Sequence, residues 1–388
     1  MCKKLNTFWY NSTYYFYLII IAVSYAVGIF FEKFKFITFS KKNKLVNVSD
    51  ILVLLLLVFI KGFAYCGTDL RGGYLTDYIT ALNYPRFHDK SMELGHIFFN
   101  ILMYHTTPNY HVVLFIYALL TLIPLFIILR KYQDLMNHAV FWATYVAIFF
   151  FQSFSLIRIY IAASMSLFVF DQIVHEKYGR AMIWILICSQ IHVSSLILFV
   201  PLVFRILDLD NKKIAILLFG GTLLLILGRG SIMSSFSGRY SSYASGAGGG
   251  IGTLQFIFYV PIILLYLLHK KDFAEEQNIN THESEDNSMI SMKNKLIEIS
   301  YLYCMFGFSL GVLSYFIPIF GRLFVFTLPL VIFNAVIFRD YRNKGTKMYI
   351  ILLLCLILYL WFRYRIYITQ YHGSDGIMPY YNFFGFQI

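Results

Sequence analysis

Apolar runs recur along this chain at lengths that match about 30 Å of hydrocarbon, and that repetition limits the fold more than any other feature. They lie near residues 14 to 31, 50 to 66, 111 to 130, 139 to 152, 158 to 174, 214 to 229, 254 to 269, 296 to 315, 322 to 338 and 348 to 362. Backbone inside lipid has to satisfy its own N–H and C=O groups, so such runs are expected as helices. The chain is 59% hydrophobic and only 13% charged, where an ordinary soluble protein carries about 25% charged residues. The expected class is all-α: a polytopic membrane protein with about ten full spans, a single transmembrane domain over residues 1–388. Lys3 and Lys4 precede the first run, but no small-residue cleavage site stands out before Phe31, so it reads as a retained first helix. Cys2, Cys66, Cys188, Cys304 and Cys355 are scattered singly without a CxxC pair, which implies neither a disulfide framework nor a zinc site.

Between residues 181 and 206 lies one further apolar stretch, AMIWILICSQIHVSSLILFVPLVF, which is either one long helix or two short ones meeting near Gln190 to His192. The excess of Lys and Arg expected in cytoplasmic loops decides between them. A re-entrant pair that enters and leaves on one side places twenty of the 32 basic residues inside. A single crossing flips every later loop and puts most of the basic residues from Arg205 onward outside. The re-entrant pair is therefore expected, with the N-terminus, the 67–110 loop, the 230–253 loop and the C-terminal tail outside. The net charge of +12 is then a matter of topology, and nucleic acid is not expected as a partner. The polar segment within 270–295 reads as a mobile cytoplasmic loop, and Gly/Ser-rich 237–252 as a flexible outer one.

This sorting exposes a second asymmetry. The inner set holds five Arg and fifteen Lys, the outer set eight Arg and four Lys. Topology asks only for positive charge; a planar guanidinium fork that binds phosphate bidentately is a reason for Arg in particular. Arg158 opens the run IRIYIAASMSLFVF, where a charge in the membrane needs an interface or a partner. On this topology it shares the outer end with Arg239 in SGRYSSY and Arg322 in IFGRLFVF. Three cations gathered there would repel one another without an anion, and the natural anion at that level is a lipid-linked phosphate.

The 67–110 loop adds Asp69, Asp77, Asp89 and Glu93, with short amphipathic helices expected from Leu75 to Leu82 and from Met92 to Tyr104, so it reads as a site wall lying on the outer surface. Glu93 opens the second of these helices, where a helix start favours a carboxylate. His192, at the tip of the re-entrant pair, is placed to orient or deprotonate a hydroxyl. No DxD-like pair, Gly-rich phosphate cradle or metal-ligand cluster appears, which disfavours a nucleotide-sugar enzyme.

In GTDLRGGY (67–74), ELGHIFFNIL (93–102), SFSLIRIYIAASMSLF (153–168), IHVSSLILFVPL (191–202), and more weakly RYSSY (239–243), FGRLFVF (320–326) and MPYYNFF (378–384), the chain resembles the EpsG family, which belongs with the Wzy-type oligosaccharide repeat-unit polymerases. The resemblance covers nearly the whole chain. Tyr74 follows Asp69 by five residues where the family commonly has four, so Asp69 and Asp77 both stay open for the family's role.

The resemblance implies a GT-C-like, multi-helix, inverting and metal-independent glycosyltransferase without a cofactor, on the outer face of a bacterial plasma membrane. Its substrates would be undecaprenyl-diphosphate-linked oligosaccharides. Membrane lipid and other polysaccharide-assembly proteins would be its partners. Arg158, Arg239 and Arg322 would hold the diphosphate; Asp69, Asp77, Glu93 and His192 are candidates for the base; Arg71, Tyr74 and Tyr243 would meet the glycan. A flippase for lipid-linked oligosaccharide is the alternative class, but it would spread its cations along a translocation path. A membrane O-acyltransferase would need a cytoplasmic route for its acyl donor.

Overall fold

The computed structural model describes residues 2–30, 35–37, 45–67, 69–70, 93–107, 109–234, 255–277, 286–343, 347–375, 377 and 380. Helix α1 (Cys2–Phe30) leads to a short antiparallel ribbon, β1 (Lys35–Ile37) against β2 (Leu45–Asn47), with Phe36 opposite Val46. Everything else regular among the described residues is helical. Helices α2 (Val48–Phe63), α3 (Leu94–Thr106) and α4 (Tyr110–Lys131) come first. Helix α5 (His138–Tyr145) runs on into a wide π turn (Val146–Phe150) and a tight 3-10 turn (Phe151–Phe154). Helix α6 (Ile157–Val174) follows that break. Helix α7 (Tyr178–Ile191), a 3-10 run (Val193–Leu198) and α8 (Phe199–Ile206) form a helical hairpin. The remainder is α9 (Asn211–Leu227), α10 (Arg229–Ser234), a 3-10 turn (Gln255–Tyr259), α11 (Val260–Gln277), α12 (Asp286–Phe316), a 3-10 run (Pro318–Thr327), α13 (Pro329–Asn343) and α14 (Lys347–Asp375).

Among the described residues, five helices are long and apolar enough to cross a membrane: Ser12–Phe30, Tyr110–Lys131, Ile157–Val174, Met289–Phe316 and Lys347–Arg365. A sixth span results if Ile319–Thr327 and Pro329–Asn343, bent by 40°, count as one. Other apolar runs form shorter helices, such as His138–Phe154 and Phe256–Lys270. Residues 270–277 and 286–295 of the segment expected to be a mobile loop continue α11 and α12, and 278–285 lie outside the described residues.

Helix α6 is the axis of the bundle: 83% of its spanning window is buried, against 22% for α14. It buries its own Tyr160 beside large aromatic side chains of neighbouring segments, including Trp142, Tyr145 and Tyr303. A smaller apolar cluster joins Leu70, Tyr110, Val113, Leu114 and Tyr117 to Ile157 and Ile161 at the start of α6. The hairpin rises and returns. Glu176, just before α7, accepts from Lys295, while Arg205 at the foot of α8 pairs with Glu298 one turn along α12. Both feet therefore lie beside 295–298, and His192 stands at the tip.

Candidate functional site

The site grows from the break between α5 and α6. After the π turn, Ser155 N–H and Leu156 N–H both reach the Gln152 carbonyl, 3.2 and 3.1 Å away, and the chain restarts as α6 at Ile157. The Tyr160 hydroxyl donates back to the Gln152 side chain and fixes the new helix on the old one. Arg158 consequently lies in the first turn of α6. A helix N-terminus disfavours a cation, and Arg158 is only 7% exposed, so its placement demands an anion.

Glu93 supplies one. It sits in the capping position before α3, yet its side chain makes no cap bond to its own helix. Instead Oε2 accepts from Arg158 Nη1 at 2.9 Å, and Oε1 accepts from the Val193 N–H at 3.2 Å. One carboxylate thus joins the start of α6 to the tip of the α7–α8 hairpin. Burial pushes the Glu93 carboxyl up, but the Arg158 guanidinium, helped by backbone N–H groups and by nearby His192, outweighs it and holds the group below its ordinary value. Gly95 makes this approach possible, because a Cβ there would fall 2.5 Å from the Gln190 carbonyl oxygen at the end of α7.

His192 has extended backbone and its Nδ1 accepts from the Ser194 N–H at 3.3 Å. That bond leaves the ring proton of the neutral form on Nε2, so the geometry suits a hydrogen-bond donor better than a base. Asp69 reaches the same break from the other side. Gly67 has φ +111°, and a Cβ there would lie 2.8 Å from Ser155 Cα; two residues on, the Asp69 N–H points to Ser155 Oγ at 3.4 Å. The left-handed backbone and the close contact both call for glycine.

A buried polar ladder supports α3 from below. Asn100 Nδ2 donates to His96 Nε2 at 3.1 Å and Tyr117 Oη donates to Asn100 Oδ1 at 2.9 Å. Thr121 Oγ1 donates to the Tyr117 carbonyl at 2.8 Å, and Lys61 Nζ donates to Thr121 Oγ1 at 3.0 Å and to the Ser153 carbonyl at 3.1 Å. Lys61 is 5% exposed and sits against the C-terminal carbonyls of the broken helix, the end that favours a cation. Sequence reasoning had no role for His96, Asn100 or Tyr117 and counted Lys61 only among the four outer lysines. The spacing of His96 and Asn100 on one helical face was the available signal.

The structure thus brings Arg158, Glu93, His192 and Asp69 to one break. Arg322 is exposed on the 3-10 run Pro318–Thr327, which packs against α6 and against the Val193–Leu198 turn. Arg71, Tyr74 and Asp77, and likewise Arg239 and Tyr243, lie outside the described residues. A sequence model of the EpsG family matches residues 47–382. The chain belongs to the EpsG family. No curated protein and no solved structure matches it. Membership and the apolar helices together make this EpsG-family chain a multi-pass membrane protein of polysaccharide metabolism. The match includes the break itself and the segments that bring Glu93, Asp69 and His192 to it, while α1, which packs on the break through Tyr17, precedes it.

Proposed function

We propose that this protein is an oligosaccharide repeat-unit polymerase: a GT-C-like, inverting, metal-independent glycosyltransferase of about ten spans with a re-entrant α7–α8 pair. It joins undecaprenyl-diphosphate-linked units into capsular, exopolysaccharide or O-antigen chains at the outer face of a bacterial plasma membrane. The observation that carries this reading is the Arg158–Glu93 pair at the broken helix, a desolvated guanidinium fixed beside a hydrogen-bonding histidine.

In this reading an acceptor hydroxyl oxygen attacks the anomeric carbon of the donor from the face opposite the diphosphate. The new C–O bond forms as the bond from the anomeric carbon to the diphosphate oxygen breaks, and that oxygen leaves with the electron pair. Arg158, with Arg322 and Arg239, stabilises the charge that develops there. Glu93 positions Arg158, and because its carboxyl is held low it is a poor base. His192 donates to a sugar or phosphate oxygen. Asp69 takes the hydroxyl proton, with Asp77 the other candidate, while Arg71, Tyr74 and Tyr243 meet the glycan.

The test is the lipid-linked glycan that accumulates when the protein is absent. Single repeat units exposed outside the cell are expected. Units stranded inside would instead identify a flippase, and normal long chains would remove both readings.

A further inference from the structure

Arg363 lies close to the same helix break as Arg158 and has a different environment. It is 7% exposed on α14, with its guanidinium carbon 4.3 Å from the centroid of the Phe258 ring and 5.3 Å from that of Phe324. Both rings are themselves buried, at 5% and 1% exposure. Neither is free to move away. The Phe258 segment is tied to the Phe324 run by the Tyr259–Thr327 hydroxyl contact at 2.6 Å, and Phe324 stacks on Phe149 of the π turn with centroids 5.9 Å apart. The next residue of α14, Tyr364, meets Phe151 at 5.9 Å and bonds the Tyr14 carbonyl, so Arg363 stands level with the break that delivers Arg158.

Among the described residues, no carboxylate or other hydrogen-bond acceptor serves this guanidinium. Its polar neighbours are the hydroxyl-bearing side chains of Tyr259 and Tyr359. The two rings soften the desolvation of the guanidinium, but neither offers its N–H groups an acceptor. A buried cation in this state is incomplete without an anion. Arg365, two residues on, is exposed over Trp361 and has the ordinary look of a flanking arginine. The contrast within one helical turn separates a built position from a snorkelling one.

We propose that Arg363 is a second phosphate-binding point, its fork edge-on to a phosphate oxygen of a membrane lipid that reaches the broken helix. This rests on the lipid-linked-substrate reading above and adds to it a second buried guanidinium beside the break. With Arg322 on the same 3-10 run as Phe324, Arg158 and Arg363 would hold the two ends of a diphosphate, or the phosphates of two lipids side by side.

Binding of farnesyl diphosphate, measured on purified full-length protein in phosphatidylcholine nanodiscs and again with added phosphatidylglycerol, tests this. Arg363→Gln is expected to weaken farnesyl diphosphate binding at least about tenfold, the loss of one charge-assisted contact. Arg363→Lys should recover only part of it, because an ammonium keeps the charge but not the planar fork. If phosphatidylglycerol competes in the wild type and Arg363→Gln abolishes that competition, the phosphate is that of a bulk lipid headgroup and the site stands with that occupant. Wild-type affinity in folded Arg363→Gln, with phosphatidylglycerol competition unchanged, overturns the proposal. No binding by the wild type removes both this proposal and the lipid-linked-substrate reading. Should Arg363→Gln fail to fold, Phe324→Leu keeps the guanidinium and thins its aromatic contacts; about threefold weaker binding is expected, and unchanged binding overturns the idea.

Discussion

The two ends of the helix bundle handle charge in opposite ways. At the end away from the break, each buried carboxylate is closed within a local knot. Asp50 accepts from His138 Nδ1 at 2.7 Å and Trp142 Nε1 at 3.0 Å, while His138 Nε2 donates to the Gln133 carbonyl at 3.0 Å. Asp171 is met by Lys131 and the Tyr132 hydroxyl, both at 2.6 Å, and by Gln172 at 2.9 Å. Asp340 bridges His269 and Lys293 at 2.9 and 2.8 Å. Each knot pins the ends of neighbouring helices and leaves no charge in excess. At the break the balance is reversed. Arg158 and Arg363 are both buried there, and among the described residues Glu93 is the carboxylate bonded to Arg158, while buried Lys61 is held only by the Thr121 hydroxyl and the Ser153 carbonyl. A bundle needs the first pattern to stay together; the second fits the anion-binding end proposed above.

The largest effects should come from the cation-rich end and should appear in activity. Arg158→Ala is expected to leave the protein inserted and abolish chain elongation, read as loss of long glycan from cells with normal protein levels. Glu93→Gln should also lower elongation strongly, because Arg158 loses its ionic anchor and α3 loses its bond to the hairpin tip; Arg158→Lys should not rescue, since an ammonium lacks the fork. Polymer of normal length from Arg158→Ala would erase the distinction between the two ends. Next in size is Asp50→Ala at the opposite end. Removing one partner of a buried ion pair costs about 3–5 kcal/mol, so a lowered unfolding temperature in detergent is expected. The molecules that remain folded should elongate at the wild-type rate. Lost activity without lost stability there would contradict the purely structural role of that knot.

Part of this contrast was legible in the sequence. The start of α6 and the exposed placing of Arg322 follow from hydropathy and flanking charge. Glu93 as the residue opening a helix follows from ELGHIFFN, and α3 was found at Leu94–Thr106. The partnership of Glu93 with Arg158 was not legible, because the residues are 65 apart in the chain and share no local period. Hydropathy separates the run 139–152 from 158–174, but it cannot see how the first of them ends. FFFQSFS is apolar throughout its aromatic positions, yet the backbone there passes through a π turn and a 3-10 turn before stopping. Lys61 and Arg363 were hidden by the same rule that made the topology readable: a cation near the end of an apolar run is assigned to the interface. Only packing distinguishes Arg363 from Arg365, and Lys61 from a flank. The tip of the hairpin at His192 was legible, since Gln190 to His192 interrupts the apolar stretch.

Gly95→Ala probes the geometry of the cation-rich end without removing a charge. The added Cβ would meet backbone of α7 at 2.5 Å, so α3 has to shift. Overpacking of this kind costs about 1–3 kcal/mol, and the shift should draw Glu93 away from Arg158 and Val193. Elongation is expected to fall partially, with a modest drop in unfolding temperature, whereas Gly179→Ala, with open space around it, should change neither. Equal effects from the two would mean that close packing of α3 on α7 does not set the site.

The smallest expected effect is on pH dependence, and its sign follows from Glu93. The carboxyl is held below its ordinary value in the folded protein, against an unfolded value of about 4.3. Its contribution to stability is therefore complete above the unfolded value. It is lost as pH falls through the lower, folded one. Between pH 5 and 8 the pair should contribute a constant amount, and the acid limb of the unfolding temperature should report it. Arg158→Gln removes the main cause of the lowering and leaves burial, which pushes the other way, so the acid limb should move to higher pH in that variant. An Asp210→Asn variant is the control: that carboxylate, also held low, caps α9 through the Lys213 N–H but is fully exposed, and its loss should barely move the curve. An acid limb that stays in place in Arg158→Gln would mean that the guanidinium does not set the charge of Glu93, and the anchoring role given to that carboxylate would go with it.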